Sequence, residues 1–207
     1  MEHLEIELKF HISNFAALRR RLQELGAACI CQRTFEHNAR YETEDGRLQK
    51  NKCLLRLRKD QGTTLTFKSP PPEVDTRFKI YRELEVSVND FDTMNAILNA
   101  LGYFRCQVYE KWRETWQLKD TTLCMDTLPF AGFLEIEGSP GPIMRIIRDL
   151  RLRWEHRILS SYLGIFETLR KKESLPFSDV TFDNFKSVGI PFDRYAHLFE
   201  SENPGGR

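Results

Sequence analysis

No stretch of this 207-residue chain approaches the roughly 20 consecutive apolar residues that a bilayer-crossing helix needs. The first ten residues carry Glu2, Glu5, Glu7 and Lys9, so they do not read as a signal peptide. The five cysteines, Cys29, Cys31, Cys53, Cys106 and Cys124, are odd in number and show no C-x-x-C spacing, which argues against a disulfide framework and against a zinc site. The five histidines, His3, His11, His37, His156 and His197, fall at no metal-ligand spacing. Neither charge sign is in excess: 31 Lys+Arg face 30 Asp+Glu, for a formal net charge of +1. A general nucleic-acid binder would rest on surplus positive charge. There is also no internal repeat and no low-complexity segment. These absences predict a cytoplasmic globular protein that engages neither membrane nor nucleic acid.

What is present suits a packed domain, with 41% hydrophobic and 29% charged residues. Leu4 to Phe10 alternates apolar and charged side chains, the period of a strand with two unlike faces. A helix capped by Ser13 follows, with Phe15, Leu18, Leu22 and Leu25 on one side and Gly26 as its stop. Strands are predicted over about 34–42, 52–59, 63–68 and 78–88, with a Pro70-Pro71-Pro72 loop between the last two. Asn89 or Asp90 caps a second helix that Gly102 ends. Further strands are expected at 104–118, 122–126 and 132–137, then helices at 143–150 and 154–169. The aromatic-rich remainder reads as short helical pieces packed on the body, and 203–207 as a disordered end. This order predicts an α+β chain with a mostly antiparallel sheet, organised as a main domain over 1–169 and an extension over 170–207.

The strands share one habit. Charged residues line one face while the other face is strongly apolar. Glu5, Glu7 and Lys9 oppose Leu4, Ile6 and Leu8, and Arg56 and Arg58 oppose Leu55 and Leu57. Lys68 shares a face with Thr64 and Thr66, while Glu83 and Glu85 oppose Leu84 and Val86. Lys111 and Arg113 flank Trp112, Glu135 and Glu137 flank Ile136, and Asp126 ends its strand. Helices have to cover the apolar faces, so the charged faces point into a common space. A sheet of about eight strands curled into a barrel encloses such a space. Unpaired ions in a dry interior are prohibitively costly, so this interior is expected to be wet, internally paired and built to receive a ligand. Clustered carboxylates suit Mg²⁺ or Mn²⁺, and arginines and lysines opposite them suit phosphate oxygens. Both sets together fit a metal-chelated triphosphate.

The ordered set of motifs resembles the CYTH superfamily, the triphosphate tunnel metalloenzymes. Glu5-Ile6-Glu7-Leu8-Lys9 is similar to its N-terminal E-x-E-x-K signature. Tyr41-Glu42-Thr43, Leu55-Arg56-Leu57-Arg58, Thr66-Phe67-Lys68, Arg82-Glu83-Leu84-Glu85, Lys111-Trp112-Arg113, Asp126, Phe133-Leu134-Glu135-Ile136-Glu137 and Ser161-Tyr162 follow in the expected order. The resemblance implies an eight-stranded antiparallel tunnel with helices packed outside. It implies that Glu5, Glu7, Asp126, Glu135 and Glu137 hold Mg²⁺ or Mn²⁺. It implies that Lys9, Arg56, Arg58, Lys68, Lys111 and Arg113 grip a small-molecule triphosphate, with Glu85 and Tyr41 alongside and Arg157 as a plug residue on the late helix. Glu5, Glu7, Lys9, Lys111 and Arg113 are the expected catalytic set. The family includes inorganic and thiamine triphosphatases and class IV adenylyl cyclases. Bacterial class IV cyclases carry a His-Phe pair shortly before E-x-E-x-K, where this chain has only Met1-Glu2-His3-Leu4. The expected activity is therefore hydrolysis of inorganic or a simple organic triphosphate, with adenylyl cyclase and a non-catalytic polyphosphate- or nucleotide-binding module as alternatives. A monomer or homodimer is expected.

Overall fold

The computed structural model describes residues 4–72 and 75–201; the end expected to be disordered lies outside them. Eight strands, β1 (Leu4–His11), β2 (Ala28–Glu42), β3 (Leu54–Lys59), β4 (Thr63–Ser69), β5 (Lys79–Val88), β6 (Phe104–Leu118), β7 (Thr121–Thr127) and β8 (Gly132–Glu137), follow the alternating segments of the sequence. They form a closed barrel in the order β1-β5-β4-β3-β2-β6-β7-β8, and pairing of β8 back onto β1 completes it. Every neighbouring pair is antiparallel.

Both faces of β1 are buried, which explains its unlike halves. Leu8 and Phe10 point outward beneath α1 (Phe15–Glu24) and α4 (Pro140–Asp149), where Leu22, Ile143 and Ile147 join Leu134 and Ile136 in one core. Glu7 and Lys9, 4% and 1% exposed, face the barrel interior. A second core lies under α3 (Phe91–Ala100), where Leu98 packs on Ala39, Leu55 and Leu57. The third unites α5 (Tyr162–Lys172) with the C-terminal aromatics: Phe166 and Leu169 pack with Phe130, Phe185, Phe192 and Phe199. Among the described residues no helix is long and apolar enough to cross a membrane.

Several local expectations need correction. Asn14, not Ser13, caps α1, its side chain accepting from the Ala17 N–H at 2.9 Å. A four-residue helix, α2 (Arg47–Lys50), stands between β2 and β3. It is too short to show a periodicity, and its free N–H groups at Leu48 and Gln49 are satisfied by the Glu42 carboxylate at 2.9 and 2.8 Å. The single late helix expected over 154–169 is broken. A 3-10 turn at Trp154–His156 gives way to extended chain at Arg157 and Ile158, and α5 starts only after its Ser161 cap. The break has a backbone cause. β1 pairs with β5 only through Glu7, which leaves the Lys9 carbonyl free, and the Ile158 N–H donates to it at 2.7 Å. The C-terminal segment fills a similar gap beside β6, where Val180 exchanges hydrogen bonds with Val108 and Glu110 at 2.9 Å each. α5 runs across the expected division after residue 169.

Candidate functional site in the barrel interior

The barrel encloses a cavity of about 400 Å³ lined by nine cationic and six carboxylate side chains, within the range that holds a small molecule. Strand alternation puts them there: Glu5, Glu7 and Lys9 come from β1, Arg56 and Arg58 from β3, Lys68 from β4, Glu85 from β5, Lys111 and Arg113 from β6, and Glu135 and Glu137 from β8. The charged strand faces predict one common space for all of these residues, and the structure brings them together.

The carboxylates divide into two sets. Oxygens of Glu5, Glu7 and Glu137 lie within 4.8 Å of one another, because Glu7 and Glu137 are directly paired across β1 and β8. Lys68 is hydrogen-bonded to Glu5 and Lys79 to Glu7. Glu137 has no ion-pair partner among the described residues. Burial pushes its carboxyl up to about 8; Arg113 opposes the shift, and Glu7, Glu135 and Glu5 add to it. Three hard oxygen donors this close fit a divalent cation, which would replace the proton that burial favours.

Glu135 and Asp126, also expected as metal ligands, form the other set and are engaged by cations of the protein. Glu135 lies 2.8 Å from Lys9 and also receives Arg113. Burial raises its carboxyl pKa, but Lys9, Arg113 and Lys111 outweigh that and hold it well below the usual carboxylate range. Asp126 is 0% exposed and does not line the cavity. It accepts from Lys111 at 2.9 Å, from Arg113 at 2.7 and 2.6 Å, and from the Tyr162 hydroxyl at 2.8 Å. Its oxygens are thus engaged by protein donors. It orients cations and stands apart from the acidic cluster.

Arg56 is held by the Tyr109 hydroxyl at 3.1 Å, Thr66 at 3.2 Å and Glu85 at 3.4 Å, and Thr66 in turn donates to Glu85 at 2.7 Å. This fixes the guanidinium at the cavity wall. Lys68 bridges Glu5 and Glu83, the latter at 3.2 Å. Burial lifts Glu83 to about 7, with Lys68 opposing and Glu5 and Glu85 reinforcing. Arg58 lies toward the rim, 3.0 Å from Asp60.

Two of the expected site residues, Tyr41 and Arg157, do not line the cavity. Tyr41 points outward, 2% exposed in the core beneath α3, and its hydroxyl donates to Asn95 at 2.7 Å. It follows Arg40 by one residue on β2, so alternation sends it to the opposite face. Arg157 is 2% exposed, lies over the Trp154 ring at 4.3 Å and donates to the Trp154 and Ser201 carbonyls at 3.1 and 3.4 Å. It lines no part of the cavity because the helix meant to carry it is broken. Tyr162 instead closes that side, with Lys9 4.3 Å above its ring. The five cysteines are all free, and Cys29 and Cys31 are half-buried beside a β2 irregularity.

Lys79, Tyr81, Arg40 and Tyr109 also line the interior, and Glu36 approaches Lys111 at 3.5 Å and Arg113 at 3.7 Å. None was singled out from sequence. The signal was available as the same two-residue period: Lys79-x-Tyr81-x-Glu83-x-Glu85, Glu36-x-Asn38-x-Arg40 and Tyr109-x-Lys111-x-Arg113.

Comparison with known proteins agrees with this geometry. The chain is 27% identical over 174 residues to a Methanocaldococcus jannaschii protein provisionally named an adenylate cyclase, spanning 78% of this chain and 98% of that one. A Vibrio parahaemolyticus structure, likewise provisionally named an adenylate cyclase, superposes with a TM-score of 0.71 at 20% identity, covering 81% of this chain and 99% of the other. A Hippeastrum protein provisionally assigned as an adenylyl cyclase, and described as revealing a dominant triphosphatase activity, shares the fold with a TM-score of 0.55 at 16% identity, over 79% and 95% of the two chains. The CYTH domain matches residues 3–159, which contain all eight strands and the acidic cluster; the chain belongs to the CYTH domain family.

Proposed function

We propose that this chain is a metal-dependent triphosphatase that takes inorganic triphosphate, or a simple organic triphosphate, into the barrel interior. The observation that carries the reading is an acidic cluster with one unpaired member, set beside cations within one enclosed cavity. Three carboxylates converge to within 4.8 Å, and Lys9, Arg56, Lys68 and Lys111 surround the space beside them. A purely structural salt-bridge network would pair each carboxylate with its own cation. Glu137 is left unpaired among the described residues, next to two other acids.

When held by Glu5, Glu7 and Glu137, Mg²⁺ or Mn²⁺ supplies a Lewis acid for a phosphoryl oxygen and for the attacking water. The chain's own residues do the rest. Arg56, fixed by Tyr109 and Glu85, presents donors to a bridging or terminal phosphate oxygen. Lys9, Lys68 and Lys111 neutralise charge that develops on the leaving phosphate. Asp126 and Glu135 hold Arg113 in one orientation, so little reorganisation accompanies the reaction.

A second reading, adenylyl cyclase, draws on the name of the Methanocaldococcus jannaschii relative. It requires a ribose hydroxyl placed in line and a seat for the base. Of the three interior tyrosines, Tyr109 is committed to Arg56 and Tyr162 to Asp126, which leaves Tyr81 as the ring available to a base. The deciding assay measures phosphate release from inorganic triphosphate and ATP with Mg²⁺ and with Mn²⁺, alongside cyclic AMP. Phosphate release, lost at least about a hundredfold in Glu137→Gln, is expected. Cyclic AMP as the main product of ATP overturns hydrolysis, and tight binding without any product overturns the enzyme.

A further inference from the structure

The interior is polar along its axis. Antiparallel order places the start of β1 and the end of β8, with Glu5 and Glu137, toward one mouth. The end of β2, the start of β3 and α2 between them form the other mouth. There Arg40, Gln49 and Lys52 line the cavity. Deeper cations are answered by carboxylates: Arg56 by Glu85, Lys68 by Glu83, Lys79 by Glu7, Lys111 by Asp126. Among the described residues Arg40 has no such partner; one of its amines donates to Gln107 at 3.4 Å, and its buried Nε has no hydrogen-bond acceptor. Lys52 has none either. The nearby acid, Glu42, is turned away to accept from the N–H groups of Thr43, Leu48 and Gln49.

The backbone at Lys52 holds the residue in a fixed turn at this mouth. It follows α2 with φ +55°, a left-handed conformation that glycine usually supplies after a helix. The Lys52 N–H reaches the Gln49 carbonyl at 3.0 Å, and the Cys53 N–H reaches Leu48 at 2.8 Å, so the turn is well closed. Lys119, Arg151 and Ser174 share this conformation, and Lys52 differs from them in lining the cavity.

We propose that Arg40, Gln49 and Lys52 form an outer subsite for one more phosphoryl unit, so that the tunnel favours linear inorganic phosphate chains of four or more units over three. This rests on the triphosphate reading above. A chain anchored at the acidic end and running past Arg56 and Lys68 meets these three side chains last, where only unanswered donors remain.

The test is calorimetric titration of the full chain with inorganic tripolyphosphate and with inorganic tetrapolyphosphate in the presence of Ca²⁺, a hard divalent ion that the acidic cluster can hold but a poor Lewis acid, with phosphate release assayed in parallel to exclude turnover. Tetrapolyphosphate is expected to bind about tenfold tighter, the worth of one charge-assisted contact. Arg40→Gln and Lys52→Gly each bring that ratio toward one. Lys52→Gly also leaves the melting temperature unchanged or higher, because glycine relieves the left-handed strain. Lys119→Gly removes an exposed lysine of the same conformation, φ +54°, from the β6–β7 turn and serves as the matched control that keeps the ratio. Equal binding of the two anions by the parent chain overturns the subsite alone, as does a Lys52→Gly variant that retains the preference. Failure of both anions to bind overturns the triphosphate reading and the subsite with it.

Discussion

Replacing Asp126 by asparagine separates a structural carboxylate from a metal ligand. Asp126 is fully buried and accepts four hydrogen bonds, from Lys111, twice from Arg113, and from Tyr162. Asn keeps the shape and removes the charge, leaving Lys111 to Glu36 at 3.5 Å and Arg113 to Glu36 and Glu135. Breaking a buried ion pair on one side costs about 3–5 kcal/mol. For a chain of this length each kcal/mol shifts the melting temperature by about 2–4 °C, so a fall of roughly 10 °C is expected. Thermal melts give the stability. Titration with Mn²⁺, followed by its paramagnetic resonance signal, gives the metal affinity. Asp126→Asn is expected to lower the melting temperature while Mn²⁺ affinity stays within about threefold; Glu137→Gln should lower Mn²⁺ affinity at least about tenfold with little loss of stability. An Asp126→Asn protein as stable as its parent refutes the ion-pair account. One that loses Mn²⁺ as Glu137→Gln does returns Asp126 to the metal site.

The acid limb of stability should carry the mark of Glu36. Burial raises its carboxyl pKa, but Lys111, Arg113, Arg58 and Arg56 outweigh that and hold it at about 2 against an ordinary 4.5. A depressed folded-state value stabilises above the unfolded pKa and is lost as pH falls toward the folded one. The contribution, on the order of 3 kcal/mol, should disappear between pH 4.5 and 2, and Glu36→Gln should flatten the melting-temperature profile across that window. A profile parallel to the parent's contradicts it. Tyr41→Phe should cost about 1 kcal/mol through the lost bond to Asn95 and leave phosphate release within about twofold, since its ring faces away from the tunnel. Arg157→Leu should lower the melting temperature and leave the Michaelis constant for triphosphate unchanged; a raised Michaelis constant would restore the plug role.

The barrel was legible because its strands have two buried faces of opposite character, so a two-residue period marks both the outer core and the interior. The same alternation misled at Tyr41: the motif carried it into the site, while its odd position relative to Arg40 sends it outward. Arg157 could not be placed because the break before α5 is set by the free carbonyl of Lys9, some 150 residues upstream in sequence, and not by any local glycine or proline. The division of the carboxylates was also hidden. Glu135 and Glu137 are equivalent in a strand pattern, but Glu135 pairs with Lys9 across to β1, whereas Glu137 stands beside Glu7. Only the register distinguishes the ion-paired carboxylate from the one that joins the acidic cluster.

The most direct test is a crystal of the chain grown with Mn²⁺ and inorganic triphosphate, read by anomalous scattering. An Mn²⁺ peak among Glu5, Glu7 and Glu137, with phosphate density running past Arg56 and Lys68 inside the barrel, is the predicted result. Manganese bound only on the outer surface, with the interior free of phosphate, would contradict the account.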